Sequence, residues 1–188
     1  MLLRNRIVAT AVVVAAMCGA ERASAQSAFT LSSSSFKDGE RLAVKYGASN
    51  KANPNCAGEN ISPALSWSNP PAGTKSYALV MFDADGRPPA GFVHWVAYGI
   101  RPSLSALAEG EGSKANDKYV AGQNSPKQSA YFGPCPPPGT VHHYVFTLFA
   151  TDLEPTGLKE GMTREELVKA IEGHAKGATS LFATYAKP

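Results

Sequence analysis

Two stretches decide the fold class: Lys75-Ser76-Tyr77-Ala78-Leu79-Val80-Met81-Phe82-Asp83 and, after residues 84–91, Phe92-Val93-His94-Trp95-Val96-Ala97-Tyr98-Gly99-Ile100. Both are near-continuous apolar runs rich in Val, Tyr, Phe and Trp. Runs of this length and composition suit central strands covered on both faces. A third run, Tyr144 to Ala150, reads the same way. Pro70-Pro71-Ala72-Gly73 breaks the chain firmly before the first.

Outward from this core the pattern stays β-rich. Phe29 to Phe36 alternates weakly, and Leu65-Ser66-Trp67-Ser68 is a short strand after the Ser62-Pro63 turn. Residues from Arg101 to Pro138 are poor in large aliphatics and rich in Gly, Ser, Pro, Asn and Lys, which predicts a long, mostly irregular excursion. Loops of that length inside a domain are usually functional. Thr163-Arg164-Glu165-Glu166 has capping-box spacing and starts the one convincing helix. Leu167, Ala170, Ile171 and His174 supply its apolar stripe, Gly177 is the expected stop, and Ser180 to Tyr185 the last strand. No repeat, charge block or linker divides the chain. The expectation is a single, mostly β domain with one or two peripheral helices.

The 188 residues are 44% apolar and only 18% charged, which excludes a disordered or collagen-like chain. Arg4 and Arg6 precede an apolar run from Ile7 to Ala16, and Ala23-Ser24-Ala25 has the small-x-small pattern of a signal-peptidase site. Residues 1–25 therefore read as a cleaved signal peptide, because the run is well short of the roughly 20 residues that span a bilayer. Met17 stands where a lipoprotein site before Cys18 wants a small residue, so a soluble exported protein is expected. The remaining domain, residues 26–188, has 163 residues. Three of the 18 basic and one of the 15 acidic side chains leave with the signal, so its formal charge is +1. A nearly neutral surface without a basic stripe argues against nucleic acid, and no later run is long enough for stable membrane insertion. The localisation expected is periplasmic or secreted.

Cys56 and Cys135 remain in that domain, both in Pro/Gly-rich segments. In an oxidising compartment the expectation is one disulfide, the alternative being two separate buried thiols. No CxxC motif or second Cys/His pair stands at zinc-site spacing.

Three stretches place ionisable residues at strand ends or beside loops. In Asp83-Ala84-Asp85 the carboxylates either converge on a shared site or cap nearby backbone N–H groups as an Asx turn. His94, in the middle of an apolar strand, is a core histidine when taken alone. Gly133-Pro134-Cys135-Pro136-Pro137-Pro138-Gly139 is stiff and precedes His142-His143-Tyr144; it suits either a pocket wall or a rigid surface loop. Together, imidazole and phenol donors backed by carboxylates would make a small oxyanion site.

The ordered motifs Cys56-x-Gly58-x-Asn60-x-Ser62-Pro63-x-Leu65-x-Trp67, Pro71-Ala72-Gly73-Thr74-Lys75-Ser76, Asp83-x-Asp85, Val93-His94-Trp95, Gly133-x-x-Pro136-Pro137 and His142-x-Tyr144 resemble the phosphatidylethanolamine-binding protein family. The likeness is greatest to its bacterial, Raf-kinase-inhibitor-like branch, and runs from about Phe29 to Tyr185. It implies a β-sandwich of a large antiparallel sheet and a smaller sheet, with a small anion-accepting pocket near the strand ends. The residues carried over to that pocket are Asp83, Asp85, His94, Pro136, Pro137, His142 and Tyr144. Asp83 and His94 would form its base, while His142 and the proline loop form its rim. The ligands implied are phosphate-like groups, including a phospholipid head group, and the branch suggests a homodimer.

Two departures from the family pattern stand out. Asp-Pro-Asp-Ala-Pro is replaced by Asp83-Ala84-Asp85-Gly86-Arg87, with prolines only at Pro88 and Pro89. Arg87 thus enters the rim, able to pair with Asp85 or with an incoming anion. His143 stands where the family commonly has Arg, which would make its pairing with a carboxylate pH-dependent.

The function expected is a binding module for a small anion, or a regulator of a protein partner, with no cofactor and no metal. No nucleophile elbow, Walker loop, HExxH or dinucleotide fingerprint is present in the sequence. The alternatives are a hydrolase using His and Asp, or a metal held by two His and one Asp, and a protease inhibitor acting through surface loops.

Overall fold

The computed structural model describes residues 27–188, so the signal peptide expected over residues 1–25 lies outside the described residues. Eight strands and one α-helix follow in chain order: β1 (Thr30–Ser32), β2 (Leu65–Ser68), β3 (Ser76–Asp83), β4 (Phe92–Ile100), β5 (Ala106–Leu107), β6 (Val120–Ala121), β7 (Val141–Thr151), α1 (Arg164–Ile171) and β8 (Ala175–Ala186). They form two antiparallel sheets, β1-β2-β5 and β6-β4-β3-β7-β8.

β3 lies at the centre of the large sheet, and its pleat separates two cores. Tyr77, Leu79 and Met81 face the small sheet and pack with Leu31, Trp67, Trp95, Leu107, Phe146 and Leu148. Ala78 and Val80 face the other way, onto Val96, Tyr98, Met162, Leu167 and Ile171. A strand buried on both faces needs apolar side chains at consecutive positions, which is why β3 and β4 read as runs rather than alternations.

The capping box of α1 is present. Thr163 Oγ1 accepts the Glu166 N–H at 3.3 Å, and Glu166 Oε2 accepts the Thr163 N–H at 3.0 Å. Leu167 and Ile171 are buried and Ala170 packs beside them. His174 does not continue the stripe: α1 ends at Ile171, and the exposed His174 pairs through Nδ1 with Asp152 Oδ1 at 2.8 Å. Gly177 is not the stop either. Gly173, at φ +77°, reverses the chain, and Gly177 is already in β8, opposite Ala150. The last strand therefore starts at Ala175 rather than Ser180, since a residue pairs wherever β7 offers a ladder, whatever its own β propensity.

Within Phe29 to Phe36 only Thr30–Ser32 form a strand. The excursion from Arg101 to Pro138 is irregular apart from β5, which extends the small sheet, β6, which pairs with β4, and a 3-10 turn at Glu111–Ser113. No helix of the described residues is long and apolar enough to cross a membrane.

Candidate functional site

Strand register brings the expected residues together. Asp83, the last residue of β3, is opposite Phe92 of β4 on one side and Tyr144 of β7 on the other. His142 lies two residues before Tyr144, so the pleat turns both to the same face. His94 arrives by a different route. The β3–β4 register passes from Met81↔Trp95 to Phe82↔Val93, leaving His94 with no partner across the ladder. Such a bulge re-aims a side chain, and here it carries His94 towards Asp83.

Asp83 is buried and serves both roles that the sequence left open. Its Oδ1 accepts the backbone N–H groups of Asp85 at 2.9 Å and Gly86 at 3.1 Å, an Asx turn. Its Oδ2 lies 2.7 Å from His142 Nδ1 and 3.8 Å from His94 Nε2. Burial alone would push this carboxyl up, but its bonding and charge interactions with His94 and His142 outweigh that and hold it below the usual carboxylate range.

The partners assign the imidazole tautomers. A carboxylate only accepts, so His142 carries hydrogen on Nδ1 and has Nε2 left for the cavity. The Phe132 carbonyl, 2.6 Å from His94 Nδ1, likewise requires an N–H there. His94 Nε2 is buried without a hydrogen-bond partner, and its 3.8 Å approach to Asp83 is electrostatic rather than a hydrogen bond. Tyr144 is fully buried and its hydroxyl is also unpartnered. Burial and then the Asp83 charge push the phenol far up, so Tyr144 stays neutral.

Asp83, Asp85, His94, Pro136, Pro137, His142, Tyr144 and Arg87 all line one cavity of about 500 Å³. His143 does not line it. Its Nδ1 and backbone N–H both bond Asp85 Oδ2, at 2.7 and 2.8 Å, and its ring stacks on Phe182 at 5.6 Å. The Asp85 carboxylate is therefore committed to His143 and does not pair with Arg87. The two carboxylates of Asp83-Ala84-Asp85 hold different imidazoles, since the Asx turn at Asp83 directs the chain away before Asp85. Arg87 instead stacks its guanidinium 4.9 Å from the Phe92 ring centroid, and the peptide bond between Pro88 and Pro89 is cis.

Cys56 and Cys135 form a disulfide with a Cα–Cα distance of 4.8 Å, and both cysteines line the cavity wall. The proline loop has few bonds of its own. Gly133 N–H bonds Asn60 Oδ1 at 2.8 Å and the Pro134 carbonyl accepts the Ala48 N–H at 2.8 Å, which anchors its start. A Cβ on Gly133 would stand 2.3 Å from the Tyr46 carbonyl oxygen, so only glycine lets these backbones meet.

Among the described residues no three His, Cys, Asp or Glu side chains are arranged to hold a metal ion. Asp83 bonds His142 directly, and His94 Nε2 stands 3.8 Å from the same carboxylate oxygen.

A family model for phosphatidylethanolamine-binding protein matches residues 32–186, which include every strand from β2 to β8 and the whole site. The chain belongs to the phosphatidylethanolamine-binding protein family. It is 37% identical over 157 residues to a UPF0098 protein of Methanothermobacter thermautotrophicus, covering 82% of this chain and 97% of that one. A Mycobacterium tuberculosis protein named as a lipoprotein, LppC, is 36% identical over 159 residues, covering 83% of this chain and 71% of its own. Among solved structures, CT736 of Chlamydia trachomatis, described as a homologue of this family, superposes with a TM-score of 0.73 at 34% identity over 86% of this chain and 99% of its own. YbcL of E. coli, described as a member of the mammalian family, gives 0.76 at 28% identity over 84% and 98%.

In this member of the family, the reading of isolated residues missed Phe92, Phe132 and Asn53, which also line the cavity or hold its wall. Phe92 begins the β4 run and Phe132 directly precedes the proline loop, so proximity to the motifs was the available signal. Asn53, whose Nδ2 lies 3.7 Å from Cys135 Sγ, carries no such signal.

Proposed function

We propose that this member of the family binds small phosphate-like anions in the cavity at the ends of β3, β4 and β7. One observation carries the reading: Asp83 holds His142 by Nδ1 and leaves its Nε2 facing the cavity. Once protonated there, an imidazole so held donates a charge-assisted hydrogen bond to a ligand oxygen without reorienting. Buried Pro136 and the disulfide stiffen the opposite wall, which limits the ordering that binding requires. Calorimetric titration with inorganic phosphate and phosphoethanolamine tests the site. Wild type is expected to bind at millimolar ligand or below, and His142→Ala to lose about tenfold in affinity. Absence of binding to wild type at millimolar ligand would sink the reading.

The same protein is proposed to be exported, with cleavage after Ala25. The disulfide and the lipoprotein-named relative support an oxidising compartment. Amino-terminal sequencing of protein recovered from the periplasm or medium tests this, the expected first residue being Gln26.

A further inference from the structure

Resting on the anion pocket above, we propose that Arg87 is its specificity-determining residue, selecting phosphomonoesters over phosphodiesters. Arg87 is the one Lys or Arg, among the described residues, that lines the cavity. It is held in place rather than left to wander. The Asx turn at Asp83 directs the loop, Arg87 itself sits at φ +52°, and its carbonyl accepts the Ala90 N–H at 3.0 Å. Its guanidinium then lies 4.9 Å from the Phe92 ring centroid, and Phe92 packs 4.7 Å from the His94 ring. The carboxylate nearest in sequence, Asp85, is occupied twice over by His143. Arg87 therefore faces the cavity with its charge uncompensated by any ion pair among the described residues.

The charges deeper in the cavity do not substitute for it. Asp83 is ionised and Tyr144 is neutral, so neither offers an incoming anion a positive charge. The permanent positive charge that an anion meets is that of Arg87. A guanidinium prefers two oxygens of one ligand at once, and His142 Nε2 asks for a third. A phosphomonoester has three unesterified oxygens and a charge near −2 at neutral pH. A phosphodiester has two such oxygens and a charge of −1, so one oxygen must serve both the guanidinium and the imidazole, with about half the charge to attract them.

The discriminating probes are phosphoethanolamine and glycerophosphoethanolamine, which carry the same amine and differ in esterification. By calorimetry, wild type is expected to bind the monoester about tenfold or more tightly than the diester. Arg87→Gln should weaken the monoester by a similar factor and the diester clearly less, and so remove most of the preference. Arg87→Lys, which keeps the charge and loses the fork, should retain only part of it. His142→Ala should weaken both ligands. Thermal melts of each variant verify folding, and the exposure of Arg87 favours a native melt. Equal binding of both esters by wild type, or a preference that survives Arg87→Gln undiminished, overturns the role of Arg87 while leaving the pocket itself intact. Failure of wild type to bind inorganic phosphate or either ester overturns the pocket and this inference together.

Discussion

His142 Nδ1 and Asp83 Oδ2 meet at 2.7 Å across adjacent strands of the large sheet, with the Asp83 side chain 3% exposed and that of His142 14% exposed. The bond ties the β7 side of the cavity to the turn after β3, because the same carboxylate also holds the Asp85 and Gly86 N–H groups.

Asp83→Asn should therefore loosen the turn and the imidazole together. An amide keeps one acceptor oxygen but loses the charge that faces His142 and His94. A loss of about 1.5–3 kcal/mol is expected, the range for hydrogen bonds to charged groups, read as a lowered urea midpoint at unchanged slope. Nitrogen NMR of His142 should report a mixture of tautomers in the variant in place of the Nδ1–H form.

Acid should erase the difference between those two proteins. The folded-state pKa of Asp83 lies below its ordinary value, so its contribution is present above about pH 4 and disappears as pH falls through the folded-state value. Urea midpoints of wild type and Asp83→Asn should converge at the acid end of that window. A gap that stays constant from neutral pH to below about pH 3 contradicts the assignment.

Alkali should act through the tyrosines. Six of the seven, Tyr77, Tyr98, Tyr119, Tyr131, Tyr144 and Tyr185, have phenols pushed up chiefly by burial. The unfolded chain ionises near pH 10 while the fold resists, so stability is intact below that value and falls as pH rises beyond it. Phenolate absorbance should rise mainly in one cooperative step that coincides with loss of the near-ultraviolet circular dichroism signal.

Removing the Cys56–Cys135 crosslink releases two cysteines 79 positions apart in sequence. The chain-entropy account assigns about 4–5 kcal/mol to that constraint. The Cys56→Ser/Cys135→Ser double variant should show that scale of loss in urea denaturation. Its binding of inorganic phosphate should weaken as well, since both cysteines stand in the cavity wall.

On the far face of the large sheet, Leu167→Ala should cost about 2–5 kcal/mol through the void left against Val80, Val96 and Tyr98. Because α1 packs on the face away from the cavity, phosphate affinity of the folded variant should match that of wild type.

How much of this was legible beforehand differs from one element to the next. β2 and β4 stand where their apolar runs begin and end, and β3 differs by one residue, since burial on both faces writes itself into consecutive residues. The capping box of α1 was equally local. The end of α1 and the start of β8 were misplaced because Gly173 and the β7 ladder, rather than the composition of residues 175–179, decide them.

The site divides along the same line. The chemical parts are written along the chain: the carboxylates, the histidines, the proline loop, the cysteines and the family pattern that orders them. Which part faces which is set by the folded chain. The bulge at His94, the pairing of Asp83 with Tyr144 across β3 and β7, and the capture of Asp85 by His143 join residues from about 10 to about 60 positions apart. Such contacts arise from strand register and turn geometry, which local composition does not encode. That is how Arg87, which the sequence offered either to Asp85 or to an incoming anion, came to stand at the cavity with no ion pair among the described residues.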